Sequence, residues 1–283
     1  MTAWQIALVV VCPVTAAAII AALIWLNNNL IAVTRYNVPF KTEREVKIVQ
    51  ISDLHGKSFG EHNNRLISKV FALRPDAVVI TGDLIHEYSM KNILVALRTV
   101  AVLSAVAPVI YVSGNHEMRN KGYRRFKAAL TEEGATVLDN SETEVCGITF
   151  AGLNGASNKN DAVFNLSKDP SSAVLLAHMP HHIERYARAG YALVLCGHAH
   201  GGQWRIPFTG RGIYAPGQGL FPKYTSGIHR VKDTEMIISR GLGNSEFPVR
   251  LFNRPEIVMI TLVPKSCART VEGREFNKAK KSD

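Results

Sequence analysis

The first 34 residues lack any charged side chain, and cysteine is scarce throughout, with only Cys12, Cys146, Cys196 and Cys267 in 283 residues. The four are far apart and form no C-x-x-C pair, so no disulfide framework is readable, which favours a reducing compartment for the folded part. Cys12 and Cys196 sit in apolar runs, where a thiol packs as a small hydrophobe. Acidic residues are in deficit: 23 Asp and Glu face 33 Lys and Arg, a formal charge of +10. That excess implies an anionic partner, whether a phosphate ester, an acidic lipid head group or nucleic acid. Nucleic acid is disfavoured, because no known binding module and no interleaved aromatic-basic stripe is present. Internal repeats and low-complexity linkers are missing too.

What opens the chain is apolar. The stretch "WQIALVVVCPVTAAAIIAALIWL" (4–26) is long enough to cross a bilayer as a helix, with Trp4 and Trp25 near its ends as interfacial aromatics. A cleaved signal peptide fits poorly: there is no basic n-region, and Ala16 to Ala18 run on into more apolar sequence. A buried core helix fits poorly as well, since the stretch is apolar on every face. Residues 1–30 are therefore expected to be a single-pass anchor, 31–45 a connector, 46–264 the folded domain and 265–283 a solvated basic tail. Arg35, Lys41, Arg44 and Lys47 follow the span, which places the domain on the cytoplasmic side by charge bias. Long domains can override that bias, so an extracytoplasmic site stays open.

Beyond the connector, short Val/Ile-rich runs alternate with segments of helical spacing. Strands are expected at 46–52, 77–81, 108–113, 147–152, 173–177 and 192–196, with late strands at 235–241 and 256–263. Helices are expected at 63–75, 89–106 and 123–134. The order implies a layered α/β domain whose early strands are buried on both faces.

Functional groups in such folds collect at the carboxyl ends of strands. Each run delivers one or two there: Asp53 and His55, then Asp83, then Asn115 and His116, then His178, then His198 and His200. Singly, Asp53 could cap a helix, Asp83 could close a turn and His178 could be structural. Coincidence across five strand ends argues against that. Mixed carboxylate, imidazole and amide oxygen suits Mn, Fe or Zn rather than Mg or Ca. With His116 set aside, the candidates still exceed the needs of one ion, which implies two divalent ions sharing a carboxylate. Gly201 and Gly202 let the backbone approach closely, and Gln203 is placed to fix a ligand or substrate oxygen, or merely to close a tight turn.

In this order and spacing, D-x-H, G-D, G-N-H-E, a lone His and G-H-x-H resemble the calcineurin-like metallophosphoesterases from about Val46 to Val263. The blocks "GHAHGGQWRIP" and "GLGNSEFPVR", with the apolar N-terminus, resemble its membrane-associated bacterial branch, which includes hydrolases of UDP-diacylglucosamine. The resemblance implies a two-sheet sandwich flanked by helices. It also implies one metal on Asp53, His55 and His200, another on Asn115, His178 and His198, and Asp83 bridging. His116 would lie beside the scissile phosphate as donor or acid. Mn would be the favoured cofactor, and the activity hydrolysis of a phosphodiester, phosphomonoester or pyrophosphate, with a lipid-linked substrate suggested by the anchor. One departure stands out. Many relatives carry an aspartate three residues after the G-D aspartate to orient the G-N-H-E histidine, and here that position is His86. It keeps open a second reading, a membrane-tethered metal-binding regulator with little turnover.

Overall fold

The computed structural model describes residues 2–155, 161–244 and 247–266. The strands, in chain order, are β1 (Ala32–Phe40), β2 (Val46–Ile51), β3 (Ala77–Thr81), β4 (Val109–Val112), β5 (Ala135–Leu138), β6 (Ser141–Val145) and β7 (Ile148–Gly152). They continue as β8 (Ala173–Leu176), β9 (Leu193–Cys196), β10 (Tyr214–Ala215), β11 (Gly219–Leu220), β12 (Gly227–Val231), β13 (Thr234–Ile238) and β14 (Glu256–Pro264). Two six-stranded sheets result, ordered β1-β14-β2-β3-β4-β5 and β12-β13-β9-β8-β7-β6, and β10 pairs with β11 in a small ribbon.

Successive residues of the central strands point to opposite faces, and both faces are dry. Ile48, Val79, Ile110, Val174, Leu195 and Ile237 fill the space between the sheets. Their neighbours Val49, Val78 and Val109 turn outward onto the helices Asn64–Leu73, Met90–Ser104 and Tyr123–Glu132. On the other sheet, Leu175, Val194 and Cys196 turn outward onto the layer that contains Ile183 and Tyr186 of the helix Ile183–Arg188. This is a layered α/β/β/α sandwich, and the burial on both faces explains why the strands read as continuous apolar runs.

Within 31–45, expected as a connector, residues 32–40 instead form an edge strand of the first sheet, and 41–45 alone link it to β2. β1 runs parallel to β14 over nine residue pairs, and Val38 and Phe40 are buried in the inter-sheet core. Arg35, Asn37 and Pro39 interrupt its apolar pattern, as an edge position tolerates. β5, β6, β10, β11 and β12 also lie outside the expected strands. β6 (SETEV) and β12 (GIHRV) lie at the edge of the second sheet and stay half exposed, so no apolar run marks them. The tail from 267 onward lies outside the described residues.

Ahead of β1, Ala3–Ile6, a π-helical stretch Ala7–Val11 and Cys12–Asn29 form successive helical elements. Cys12–Asn29 is long and apolar enough to cross a membrane and has no buried residue. Its last turn is tied to the domain. Asn28 exchanges hydrogen bonds with the Arg250 backbone, donating to its carbonyl at 3.3 Å and accepting from its amide at 3.1 Å. The Asn27 side chain accepts from the Asn253 amide at 3.0 Å, and Lys57 donates to the Asn28 carbonyl at 2.6 Å.

Phe40→Ala should test whether β1 is integral to the sandwich. Removing this buried ring is expected to cost about 3–5 kcal/mol, read as a lowered midpoint of denaturant unfolding in detergent; an unchanged midpoint would show that β1 adds nothing to the core.

A candidate dinuclear metal centre

β2, β3, β4, β8 and β9 deliver the candidate side chains just past their carboxyl ends, where the two sheets meet. Gln50 crosses between the sheets directly beneath, donating to Thr81 Oγ1 and to the Cys196 carbonyl, each at 2.9 Å. Asp53, His55, Asp83, His198 and His200 all adopt left-handed backbone, with φ between 48° and 69°. Such geometry costs a non-glycine residue on the order of 1 kcal/mol, and it concentrates where side chains must be aimed at one point. Crowding leaves no room for extra atoms. A Cβ on Gly114 would overlap the Asp83 carboxylate, and one on Gly197 would overlap Ser52 Oγ and Asp53 Oδ2.

Two clusters of donor atoms result: Asp53, His55 and His200 in one, Asp83, His178 and His198 in the other. His55 Nε2 and His200 Nε2 are 3.1 Å apart, and His200 Nε2 is 3.6 Å from Asp53 Oδ1. In the second cluster His178 Nε2 lies 3.1 Å from both Asp83 Oδ2 and His198 Nδ1. Asp83 Oδ2 is also 3.8 Å from His55 Nε2, so this carboxylate faces both clusters. Asn115 lines the same cleft, and its buried Oδ1 has no hydrogen-bond partner. All seven side chains are buried.

Burial and mutual charge set the protonation states. Burial pushes His55 down to about 3 despite the opposing pull of Asp83, and burial reinforced by His178 pushes His198 to about 3. Burial, with His55 and Arg250 adding to it, also holds His200 well below its ordinary value. These rings are neutral, with a lone pair available. Burial raises Asp53 to about 6 against the pull of His178. Asp83 stays well below the usual carboxylate range, since His178 and His55 outweigh the burial that opposes its charge. His178, although burial opposes its charge as well, is raised to about 10 by Asp83. The site thus demands positive charge beside its carboxylates. His178 Nδ1 donates to the Thr81 carbonyl at 2.7 Å, which turns Nε2 inward. Converging lone pairs, two carboxylates and an orphaned amide oxygen fit divalent cations.

His116 stands at the rim of this cleft. Its amide donates to Asp83 Oδ1 at 3.0 Å, and its Nδ1 donates to the main-chain carbonyl of His86 at 3.2 Å. The backbone of residue 86 thus orients the ring. Its own imidazole, exposed, packs 4.7 Å from that of His116. His181 and His182 do begin a helical segment, but His181 also lines the cleft, beside Arg119 and Tyr214. The Gln203 amide donates to the carbonyls of Phe247 and Val249 at 2.7 and 3.0 Å.

Several supporting residues carried no such expectation. Glu117, inside the G-N-H-E block, accepts from the amides of Asp83, Ile85 and Gly114 at 3.0, 3.1 and 2.8 Å. Asn253 donates to the His200 carbonyl at 2.7 Å, and Arg250 Nη2 stands 3.5 Å from His200 Nδ1. Arg250 closes the block "GLGNSEFPVR", and Asn253 lies just beyond it; neither carried a signal of its own.

The sequence pattern of the calcineurin-like phosphoesterases matches residues 46–202. The chain is 30% identical over 231 residues to the uncharacterized metallophosphoesterase YkuE of Bacillus subtilis, covering 76% of this chain and 78% of that one. It is 30% identical over 235 residues to the phosphodiesterase YaeI of Escherichia coli, covering 77% and 82%. A zebrafish transmembrane protein with metallophosphoesterase domain is 28% identical over 239 residues, covering 77% of this chain and 53% of that one.

Glu117→Gln should expose the role of the buried carboxylate. An amide in its place sets an NH2 group against the N–H of Ile85 or those of Asp83 and Gly114, at a cost of about 1–3 kcal/mol. The expected result is a lower melting temperature with faster hydrogen exchange at the amides of Asp83, Ile85 and Gly114.

Proposed function

The chain belongs to the calcineurin-like phosphoesterase family, and on that footing we propose that it is a dinuclear, metal-dependent hydrolase of a phosphodiester, phosphomonoester or pyrophosphate in a membrane-proximal or lipid-linked substrate. The convergence of Asp53, His55 and His200 on one side of Asp83 with His178 and His198 on the other carries this reading. Asn115, with its unpartnered oxygen, completes the second set. Bound divalent cations, with Mn favoured over Fe or Zn, would neutralise the anionic ester and acidify the attacking water.

The protein's own groups divide the remaining tasks. Asp83 faces both donor clusters and fixes their separation, while its Oδ1 anchors the His116 backbone. With Nδ1 held by the His86 carbonyl, His116 presents Nε2 to the cleft, where it donates a proton to the leaving oxygen. Arg119, exposed at the cleft mouth, meets the remaining phosphoryl charge. The substitution of His86 for aspartate therefore does not favour a non-catalytic regulator, since a main-chain oxygen takes over the orienting role. Residues 1–30 would span the membrane, with the domain on the cytoplasmic side by charge bias.

Full-length protein, stripped with chelator and reloaded with Mn²⁺, is expected to regain hydrolysis of bis-p-nitrophenyl phosphate. Asp83→Asn should lower that turnover by more than about a hundredfold, beyond what loss of a ligand's outer hydrogen bond gives, and should lower the metal-to-protein ratio. Unaltered turnover would remove Asp83 from its shared role. His116→Gln should behave differently: metal content stays, kcat falls about 10²–10⁴-fold, and the loss is largest for esters with poor leaving groups. An equal loss across leaving groups would exclude the acid role.

A further inference from the structure

The excursion 203–226 follows the last histidine pair. On one side Tyr214, Pro216 and Gly217 wall the metal cleft. The same excursion leaves large apolar side chains in the open: Phe208 is fully exposed at 109%, and Leu220 and Phe221 are each 70% exposed. Phe252, 56% exposed, joins Ile206, Pro207 and Phe208 around one shallow apolar concavity. Soluble proteins rarely gather such side chains on one patch without a partner.

What borders the patch identifies the partner. Asn27, in the last turn of the membrane-length helix, lines the same concavity, as do Arg205, Arg240 and Arg254. Trp25 lies two positions earlier in that helix, 56% exposed. Because a helix rises about 1.5 Å per residue, the patch sits level with the end of the span, where aromatic and basic side chains meet lipid head groups. We propose that the 204–208 loop and Phe252 form a second membrane contact, seating Phe208 below the head groups of a bilayer containing anionic lipid; Arg205 and Arg254, held in place by main-chain carbonyls, border the head groups, while Arg240 is paired with Glu256. This rests on the reading of residues 1–30 as a span.

The patch also leads to the site. Trp204 packs against Phe247, with ring centroids 5.3 Å apart, and Phe247 lies 6.2 Å from Tyr214 at the cleft wall. With the loop in the bilayer, this row of rings would border the way from the lipid surface to the cleft wall.

The test uses full-length protein in nanodiscs of phosphatidylcholine and phosphatidylglycerol, with or without bromine on the acyl chains. Three single-tryptophan variants are compared: Trp25 alone (W4F, W204F), Trp204 alone (W4F, W25F), and a reporter at the tip (F208W with W4F, W25F and W204F). Brominated lipid should quench Trp25 and the reporter at 208. Quenching of Trp25 with no quenching at 208 leaves the span intact and overturns the second contact. Should the quadruple variant fail to fold, Trp204 in its unaltered patch answers instead, its quenching supporting the contact and its absence, with Trp25 quenched, overturning it. Failure to quench Trp25 as well would sink the span, and the second contact with it.

Discussion

Two carboxylates, Asp53 and Asp83, are held out of water at the junction of two sheets, and the rest of the site answers to that fact. A buried negative charge is stable only beside compensating positive charge and hydrogen-bond donors. The chain itself provides little of the former: four neighbouring histidines, three of them neutral by burial, and one guanidinium set back behind His200. The shortfall is what divalent cations fill.

Positioning falls to the backbone and to residues that touch no ligand. Ser52 donates to Asp53 at 2.6 Å, and the His198 amide donates to both of its oxygens at 3.0 Å. Glu117 gathers three amides of the loops that carry Asp83 and Asn115. Gln50 ties the end of β3 to the end of β9, so the two sheets, which contribute different donors, keep a common register. Each of these side chains is buried, and each bonds to a neighbouring strand end or to the loop that follows one. The donor clusters are in this sense a property of the sandwich and not of any single loop.

The sequence disclosed the central strands and the donor residues because both obey simple local rules. Ala77 to Ile80 or Leu193 to Cys196 are apolar on two faces, and polar donors follow within three or four residues. Edge elements disobey those rules: Ser141–Val145 alternates charge with half-buried positions, and Ala32–Phe40 carries Arg35 and Pro39 inside a strand that only its partner β14 justifies. The groups behind the donors were harder to see for a different reason. Glu117 and Asn253 act through hydrogen bonds across 32 to 53 positions of sequence, and no spacing encodes such reach. The orienting partner of His116 was invisible in principle, since a main-chain carbonyl looks the same in every residue.

Asn27 and Asn28 lock the end of the apolar helix to residues 250–253, and Asn253 in turn grips the His200 carbonyl. A domain joined in this way has no slack leash. With the helix in a lipid sheet, the cleft would ride at one altitude and in one orientation, so that encounter becomes a two-dimensional search among molecules whose reactive bond happens to lie at that height. Selectivity would then be partly a matter of elevation, decided before any pocket residue is touched.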